Sequence, residues 1–233
     1  MSDISLVENP SSIPDEIRDE LVRITTHLFV KNGFDRTTTR ELSRALGWSK
    51  GRLYQYVSSK DDLMHVLLDS FFERDQEFMD TATELTTNLN STDALATAIR
   101  LYIMKNDRYQ DLYKFITHVT VNLEPEKRNM VFKSARRVKS YFETLIKSGV
   151  EAGEFRTENT ELVAMNIFFL GDWATRRWVL ERRYTVEEFI TEMTRNILLQ
   201  LGVSSYSVDN TSYTIPLDEK ERAPKKKKRN IHQ

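Results

Sequence analysis

Between Thr38 and Lys60 the chain gathers the kinds of side chain that hold nucleic acid. There are hydroxyls at Thr38, Thr39 and Ser49, cations at Arg40, Lys50, Arg52 and Lys60, an amide at Gln55, an aromatic ring at Tyr54 and bare backbone at Gly51. Cations and hydroxyls grip phosphates, while guanidinium and amide groups pair with base edges. Catalytic chemistry has no comparable cluster. The histidines at 27, 65, 118 and 232 are scattered, no HExxH or Gly-rich phosphate loop occurs, and the carboxylates follow helix surfaces rather than pairing. Cysteine is absent, which excludes a disulfide framework, a thiolate metal site and a cysteine nucleophile. The expectation is a protein that is not an enzyme and carries no metal or cofactor.

Two short helical patterns must position these groups. Thr38 and Glu41 have the spacing of a reciprocal capping box, and Leu42, Ala45 and Leu46 share one face of the helix it opens. Gly47 suits the left-handed residue that ends such a helix, and Ser49 can cap the next one after a turn of only a few residues. That second helix, 50–56, buries Leu53 and leaves Lys50, Arg52, Tyr54 and Gln55 outward, while Ser59 and Asp62 open a third. Helix, tight turn and helix form a helix-turn-helix. Net charge is only −1, yet Lys31 to Lys60 holds seven basic residues against two acidic ones, a modest basic face suited to a reader that uses two copies.

The order of parts resembles the TetR family of bacterial transcription regulators over roughly residues 14–70. IRDELVRITTHLFVKNGF is similar to the family's first helix with its closing aromatic-Gly-aromatic element, here Phe29, Gly33 and Phe34. SKGRLYQYVSSKDDLMHVLL is similar to its recognition helix and the Ser-Lys-acidic start of the fourth. Thr38 and Thr39 stand at a helix N-terminus where their donors can meet a phosphate, Arg40 beside them is expected to contact phosphate or groove, and for Lys60 the resemblance implies a phosphate contact. It implies a backbone or base contact from Lys50 and an aromatic contact from Tyr54 to sugar-phosphate or a thymine methyl. Tyr56 is expected to stack into the domain core. Trp48 departs from the small aliphatic residue common in that turn, and is expected to add packing that alters how the recognition helix is seated.

Beyond residue 70 the pattern is helix after helix, with no alternating run long enough for a sheet. The expected fold is all-α: an N-terminal three-helix helix-turn-helix domain at 13–58, joined to a helical ligand-binding and dimerisation domain at 59–202. Residues 1–12 and 203–233 are expected to be flexible, the latter a polar tail ending in a PKKKKR run read as solvated rather than as a DNA-gripping arm. Helices are expected over 59–85, 93–104, 107–122, 126–151, 159–183 and 185–201. The polar N-terminus lacks a signal-peptide pattern, and LVAMNIFFLG is too short to span a bilayer, so a cytoplasmic protein with no membrane partner is expected.

The last two helices carry more bulky apolar residues than one buried stripe can use. As the family resemblance implies a four-helix dimer interface there, Phe169, Trp173, Phe189, Met193, Ile197 and Leu198 are its expected members. Such a dimer places two recognition helices about 34 Å apart on a near-palindromic operator. For a small-molecule effector, Tyr102, Tyr109, Tyr113, His118 and Phe142 are candidate pocket walls, with Arg136, Arg137, Arg176 and Arg177 as anion partners. The segment FFLGDWATRRWVLERRYTVEEFI resembles that of family members that sense acyl-CoA thioesters, which makes an acyl-CoA the expected effector and release of a repressor the expected response. A constitutive or architectural DNA-binding protein is the alternative, and a sealed C-terminal core would favour it.

Overall fold

The computed structural model describes residues 13–176, 183–204 and 206. Among the described residues the regular structure is entirely helical, in nine α-helices and one short 3-10 turn. The first three are α1 (Asp15–Asn32), α2 (Thr39–Leu46) and α3 (Lys50–Tyr56). The long α4 (Lys60–Thr86) leads to α5 (Ser91–Arg108), α6 (Gln110–Val119), α7 (Pro125–Glu151), α8 (Thr160–Thr175) and α9 (Val186–Gln200).

Local signals set most of these boundaries. Thr38 caps α2 by accepting from the Glu41 N–H while the Glu41 carboxylate takes the Thr38 N–H, and the same reciprocal box opens α4 at Ser59–Asp62 and α9 at Thr185–Glu188. Gly47 ends α2 at φ 66°, a left-handed angle where a Cβ is strained, and its N–H reaches back to the Ser43 and Arg44 carbonyls. Pro125 starts α7 at a position where its missing N–H costs nothing. The middle of the chain departs from expectation in detail. α5 begins at Ser91, capped by Asn90, and runs on to Arg108, so that one residue, Tyr109, separates it from α6. α6 ends at Val119 and hands over to a 3-10 turn at Thr120–Asn122. α8 ends at Thr175, and residues 177–182 of the expected helix lie outside those described.

Two hydrophobic cores result. One gathers Leu21, Phe29, Leu42, Leu53 and the Leu63–Phe71 part of α4, and it also takes in Leu112, Phe115 and Ile116 of α6 and Val131 of α7. The other joins the later part of α4, from Phe78, to α5, α7, α8 and α9 around Ile99, Phe142, Ile146 and Leu198. α4 therefore belongs to both. The helix-turn-helix is not free-standing: Phe115 of α6 sits 5.1 Å from the Phe29 ring and 6.2 Å from Phe34, so α6 closes the underside of α1.

The turn after α7 makes a long-range contact that periodicity does not show. The Glu154 carboxylate accepts from the N–H groups of Ser91 and Thr92 at 2.9 and 3.0 Å, and from the Thr92 hydroxyl at 3.1 Å, capping α5 from a distance. Burial works to raise its pKa, but those donors outweigh it and hold the carboxyl below the usual glutamate range. Glu154→Gln is expected to cost about 1 kcal/mol at neutral pH. A depressed carboxylate stabilises only when ionised, so in denaturant melts the gap between variant and parent should close as pH falls below the ordinary value of 4.5. A gap unchanged at strongly acid pH would assign the effect to shape instead.

Candidate DNA interface and effector site

α3 projects its polar side chains away from one buried anchor. Leu53 is fully buried, whereas Lys50, Gly51, Arg52, Tyr54 and Gln55 are exposed on a helix capped by Ser49, whose hydroxyl accepts from the Arg52 N–H at 3.1 Å. Trp48 is buried at the α2–α3 joint, 5.7 Å from the Tyr56 ring, and the Arg52 guanidinium lies over its other side at 4.6 Å. The indole thus fills the joint and also steers Arg52. Adding a Cβ at Gly51 would meet only the Ser49 hydroxyl, at 3.9 Å, so this stretch of backbone is open to close approach from outside.

The N-terminus of α2 is less open than its residue types suggest. The Thr38 N–H and hydroxyl both donate to the Glu41 carboxylate, at 2.8 and 2.9 Å, and these bonds hold that carboxyl below its usual range. Thr38 is therefore engaged as a cap, leaving the first-turn N–H groups of Thr39 and Arg40 and the exposed Arg40 side chain to face outward. Lys60 corrects the expectation more sharply. Its ammonium donates to the Phe34 and Asp35 carbonyls at 2.9 and 3.0 Å and lies 5.2 Å from the Phe34 ring. It fastens the start of α4 to the α1–α2 connection rather than waiting free for a phosphate. Thr37, which sequence reasoning passed over, is buried and ties the same connection by donating to the Gly33 carbonyl at 2.8 Å.

The expected effector residues do not line one cavity. Tyr102, Tyr113 and Phe142 are buried together with Phe78, Tyr102 standing 5.3 Å from both the Phe78 and Phe142 rings. His118 and Arg176 line a different space, a groove of about 1210 Å³ between the end of α1 and the α6–α7 connection. Arg137 borders a second groove, about 690 Å³, between α4, α5 and α7, and donates to the Gln76 side chain at 2.5 Å. Arg136 is exposed on α7, Arg176 pairs with Asp172 at 3.0 Å, and Tyr109 is half-buried against Arg74. Arg177 lies outside the described residues.

Sequence reasoning missed the charged centre of this region. The Asp75 carboxylate of α4 accepts from Lys105 of α5 at 2.5 Å, Tyr113 of α6 at 2.6 Å and Ser134 of α7 at 2.7 Å. Burial lowers the Lys105 pKa, with Asp75 opposing, and burial together with Asp75 pushes the Tyr113 phenol well above its usual value. The available signal was Asp75 itself, a carboxylate on the same helical stripe as Phe71, Phe78 and Met79.

The expected dimer residues also divide. Phe169 and Trp173 are each 53% exposed, and with Leu162 at 59% they make an apolar stripe along α8 that Leu199 of α9 continues at 52%. Phe189, Ile197 and Leu198 are buried in the protomer's own core, and Met193 packs against that core half-buried. Phe189, Ile197 and Leu198 therefore support from beneath, rather than form, the surface that the resemblance implied, while Met193 keeps part of its side chain exposed.

Two family models match the chain. Residues 21–67 match that of bacterial regulatory proteins of the tetR family, and residues 88–201 match the tetracyclin repressor-like C-terminal domain. The chain belongs to the TetR family. HbdR, an HTH-type transcriptional regulator of Aromatoleum sp. (strain CIB), is 24% identical over 189 residues that cover 81% of each chain. KstR2, an HTH-type transcriptional repressor of Mycolicibacterium smegmatis, is 27% identical over 186 residues, covering 73% of this chain and 82% of its own. Among solved structures, the TetR family regulator PfmR of Thermus thermophilus superposes with a TM-score of 0.66 at 20% identity, over 78% of this chain and 98% of its own. AibR in complex with isovaleryl coenzyme A and operator DNA superposes with a TM-score of 0.58 at 18% identity, over 76% of this chain and 95% of its own.

As a TetR family member the protein is a helix-turn-helix transcription regulator and not an enzyme, with operator DNA and a second copy of itself as its partners. Among the described residues no helix is long and apolar enough to cross a membrane. The space beside Gly51 gives a test of which surface meets DNA. Gly51→Ala clashes with nothing in the protein and should raise its stability by about 0.5 kcal/mol. Operator affinity should nevertheless fall about tenfold, equally across operator variants, because a methyl there holds the backbone off a phosphate. Gel-shift titrations beside thermal melts check both, and unchanged affinity would place Gly51 away from the DNA.

Proposed function

We propose that the protein is a cytoplasmic repressor that binds a near-palindromic operator as a dimer and is released by an acyl-CoA effector. The exposed stripe of Leu162, Phe169, Trp173 and Leu199 is the observation that carries it. An apolar surface of this kind on two adjacent helices calls for a partner, and an isologous pairing of α8 and α9 supplies one by symmetry. Lys50, Arg52, Tyr54 and Gln55 of each copy then read a half-site, Thr39 and Arg40 grip its flanking phosphates, and the switch is a change in the separation of the two readers carried by α4. Support for repression comes from KstR2, named a repressor, and support for the effector class from AibR, whose structure holds isovaleryl coenzyme A. In this reading residues 13–58 read DNA and 59–202 serve the effector and the dimer.

The packing around Phe142, which is fully buried, favours a second reading, a constitutive DNA-binding protein with no ligand. The two differ in what an effector does. Footprinting on the protein's own promoter region should show protection that short-, medium- or long-chain acyl-CoAs lift; protection unmoved by every chain length would sink the acyl-CoA reading. The dimer has its own test. The parent should run as a dimer in light scattering at micromolar concentration, and Phe169→Ser/Trp173→Ser should shift it to monomer with at least about a hundredfold loss of operator affinity, or about 2.7 kcal/mol. A parent monomer, or a dimeric double variant, would rule this surface out.

A further inference from the structure

Asp75 and Lys105 form the one ion pair among the described residues in which both side chains are less than a tenth exposed, at 5% and 8%. Replacing a buried ion pair by apolar residues of similar volume often leaves overall stability unchanged or higher, so net stability alone explains the pair poorly. Its hydrogen bonding is lopsided. Asp75 accepts three bonds and is satisfied, whereas Lys105 has a single oxygen acceptor. The other sides of its ammonium face the rings of Phe78, Tyr102 and Tyr113, at 5.1, 4.8 and 4.6 Å. An ammonium has three donors, and aromatic faces attract its charge without accepting its protons as an oxygen does.

The groove between α4, α5 and α7 reaches the rings that surround Lys105, not Lys105 itself. Tyr141 lines that groove, and its buried hydroxyl lies beside those of Thr83 and Thr86, which donate to carbonyls of their own helix and keep lone pairs that can accept from it. Its ring packs edge-on against Phe78 at 5.8 Å and Phe142 at 5.7 Å, the same rings that pack on Tyr102. One aromatic layer separates the groove from Lys105.

We infer that Lys105 is the specificity determinant of the effector site and takes a neutral oxygen, a hydroxyl or keto group, on the acyl part of the ligand, which enters past Tyr141. This rests on the effector reading proposed above. Charge decides between kinds of oxygen. Asp75 already balances Lys105, so a carboxylate arriving there would leave one buried negative charge unpaired, while a carbonyl or hydroxyl adds a hydrogen bond and no charge. A site with an unused buried donor also discriminates against a ligand that lacks the matching acceptor.

Calorimetry on the full-length protein with matched sets of short-, medium- and long-chain acyl-CoAs tests this, each chain supplied plain, hydroxylated, as the keto form and with a terminal carboxylate. At the preferred length the hydroxyl or keto form should bind at least about tenfold tighter than the plain chain, and the carboxylate no better than it. Lys105→Met should bring the oxygenated and plain chains to equal affinity. Because that change alone strands the Asp75 carboxylate, Asp75→Asn/Lys105→Met is measured beside it; the amide can still bond Tyr113 and Ser134, and the same loss of preference is expected from this variant. Equal affinities in the parent, a preference for the carboxylate, a preference that survives both variants, or a uniform loss across all forms would overturn the inference while leaving an acyl-CoA effector standing. Absence of binding by every member would overturn both.

Discussion

The buried Asp75 carboxylate fixes where α4 sits, and the rest of the molecule depends on that. It receives bonds from α5, α6 and α7 at once, at the point where α4 passes from one hydrophobic core to the other. Apolar contacts tolerate sliding; a buried charge does not. Removing one partner of such a pair costs about 3–5 kcal/mol, so moving α4 by a helical turn would expose the fold to a penalty of that size. The register of α4 is therefore held far more tightly than its leucines and phenylalanines alone would hold it. At its other end Lys60 fastens the helix to the Phe34 and Asp35 carbonyls, so motion of α4 is delivered to the helix-turn-helix through polar bonds as well as packing.

The parts legible in the sequence are those set by neighbours a few residues apart. The capping boxes at Thr38, Ser59 and Thr185 and the glycine stop at Gly47 could be read directly, because each is a short-range bargain between backbone and side chain. Leu63, Val66, Leu67, Ser70 and Phe71 could be placed on one stripe for the same reason, and all are buried. Lys60 could not, since its carbonyl partners lie two helices back in sequence and nothing in its own surroundings marks them. Ile197 and Leu198 show a related limit: helical spacing identifies an apolar face but not whether the face meets its own protomer or another. The effector residues scattered because aromatics at helical spacing are shared among cores and grooves, and only the fold assigns them.

Electrostatics and oligomerisation are connected through Lys60. With its ammonium committed to carbonyls, the cations left free between Lys31 and Lys60 are fewer than the sequence count suggests. Phosphate attraction scales with the number of charges neutralised. In the proposed dimer, each copy brings few free cations, and pairing two would raise affinity by effective concentration rather than by more charge. Trp48 acts in the opposite sense to Lys60. By seating Arg52 in advance it would lower the ordering cost of the proposed contact between Arg52 and DNA, offsetting part of what the committed Lys60 takes away.

The aromatic centre around Tyr102 touches both mechanical outputs. Lys105, against its ring, is bonded to Asp75 on α4, and the Tyr102 hydroxyl donates to the Phe168 carbonyl of α8 at 3.0 Å, one residue before the exposed Phe169. Gly171 lets this approach happen: a Cβ there would sit 2.6 Å from the same hydroxyl, so the contact requires glycine on α8. A molecule that displaced Tyr102 would therefore act on the DNA-side lever and on the dimer surface together. If the two protomers pair through α8 as proposed, they could not absorb that displacement independently, because the surface it disturbs would be shared. Coupling of this kind favours both readers leaving the operator in one step over their leaving one after the other, and the cause is a single hydrogen bond next to the dimer stripe rather than a chain of residues between distant sites.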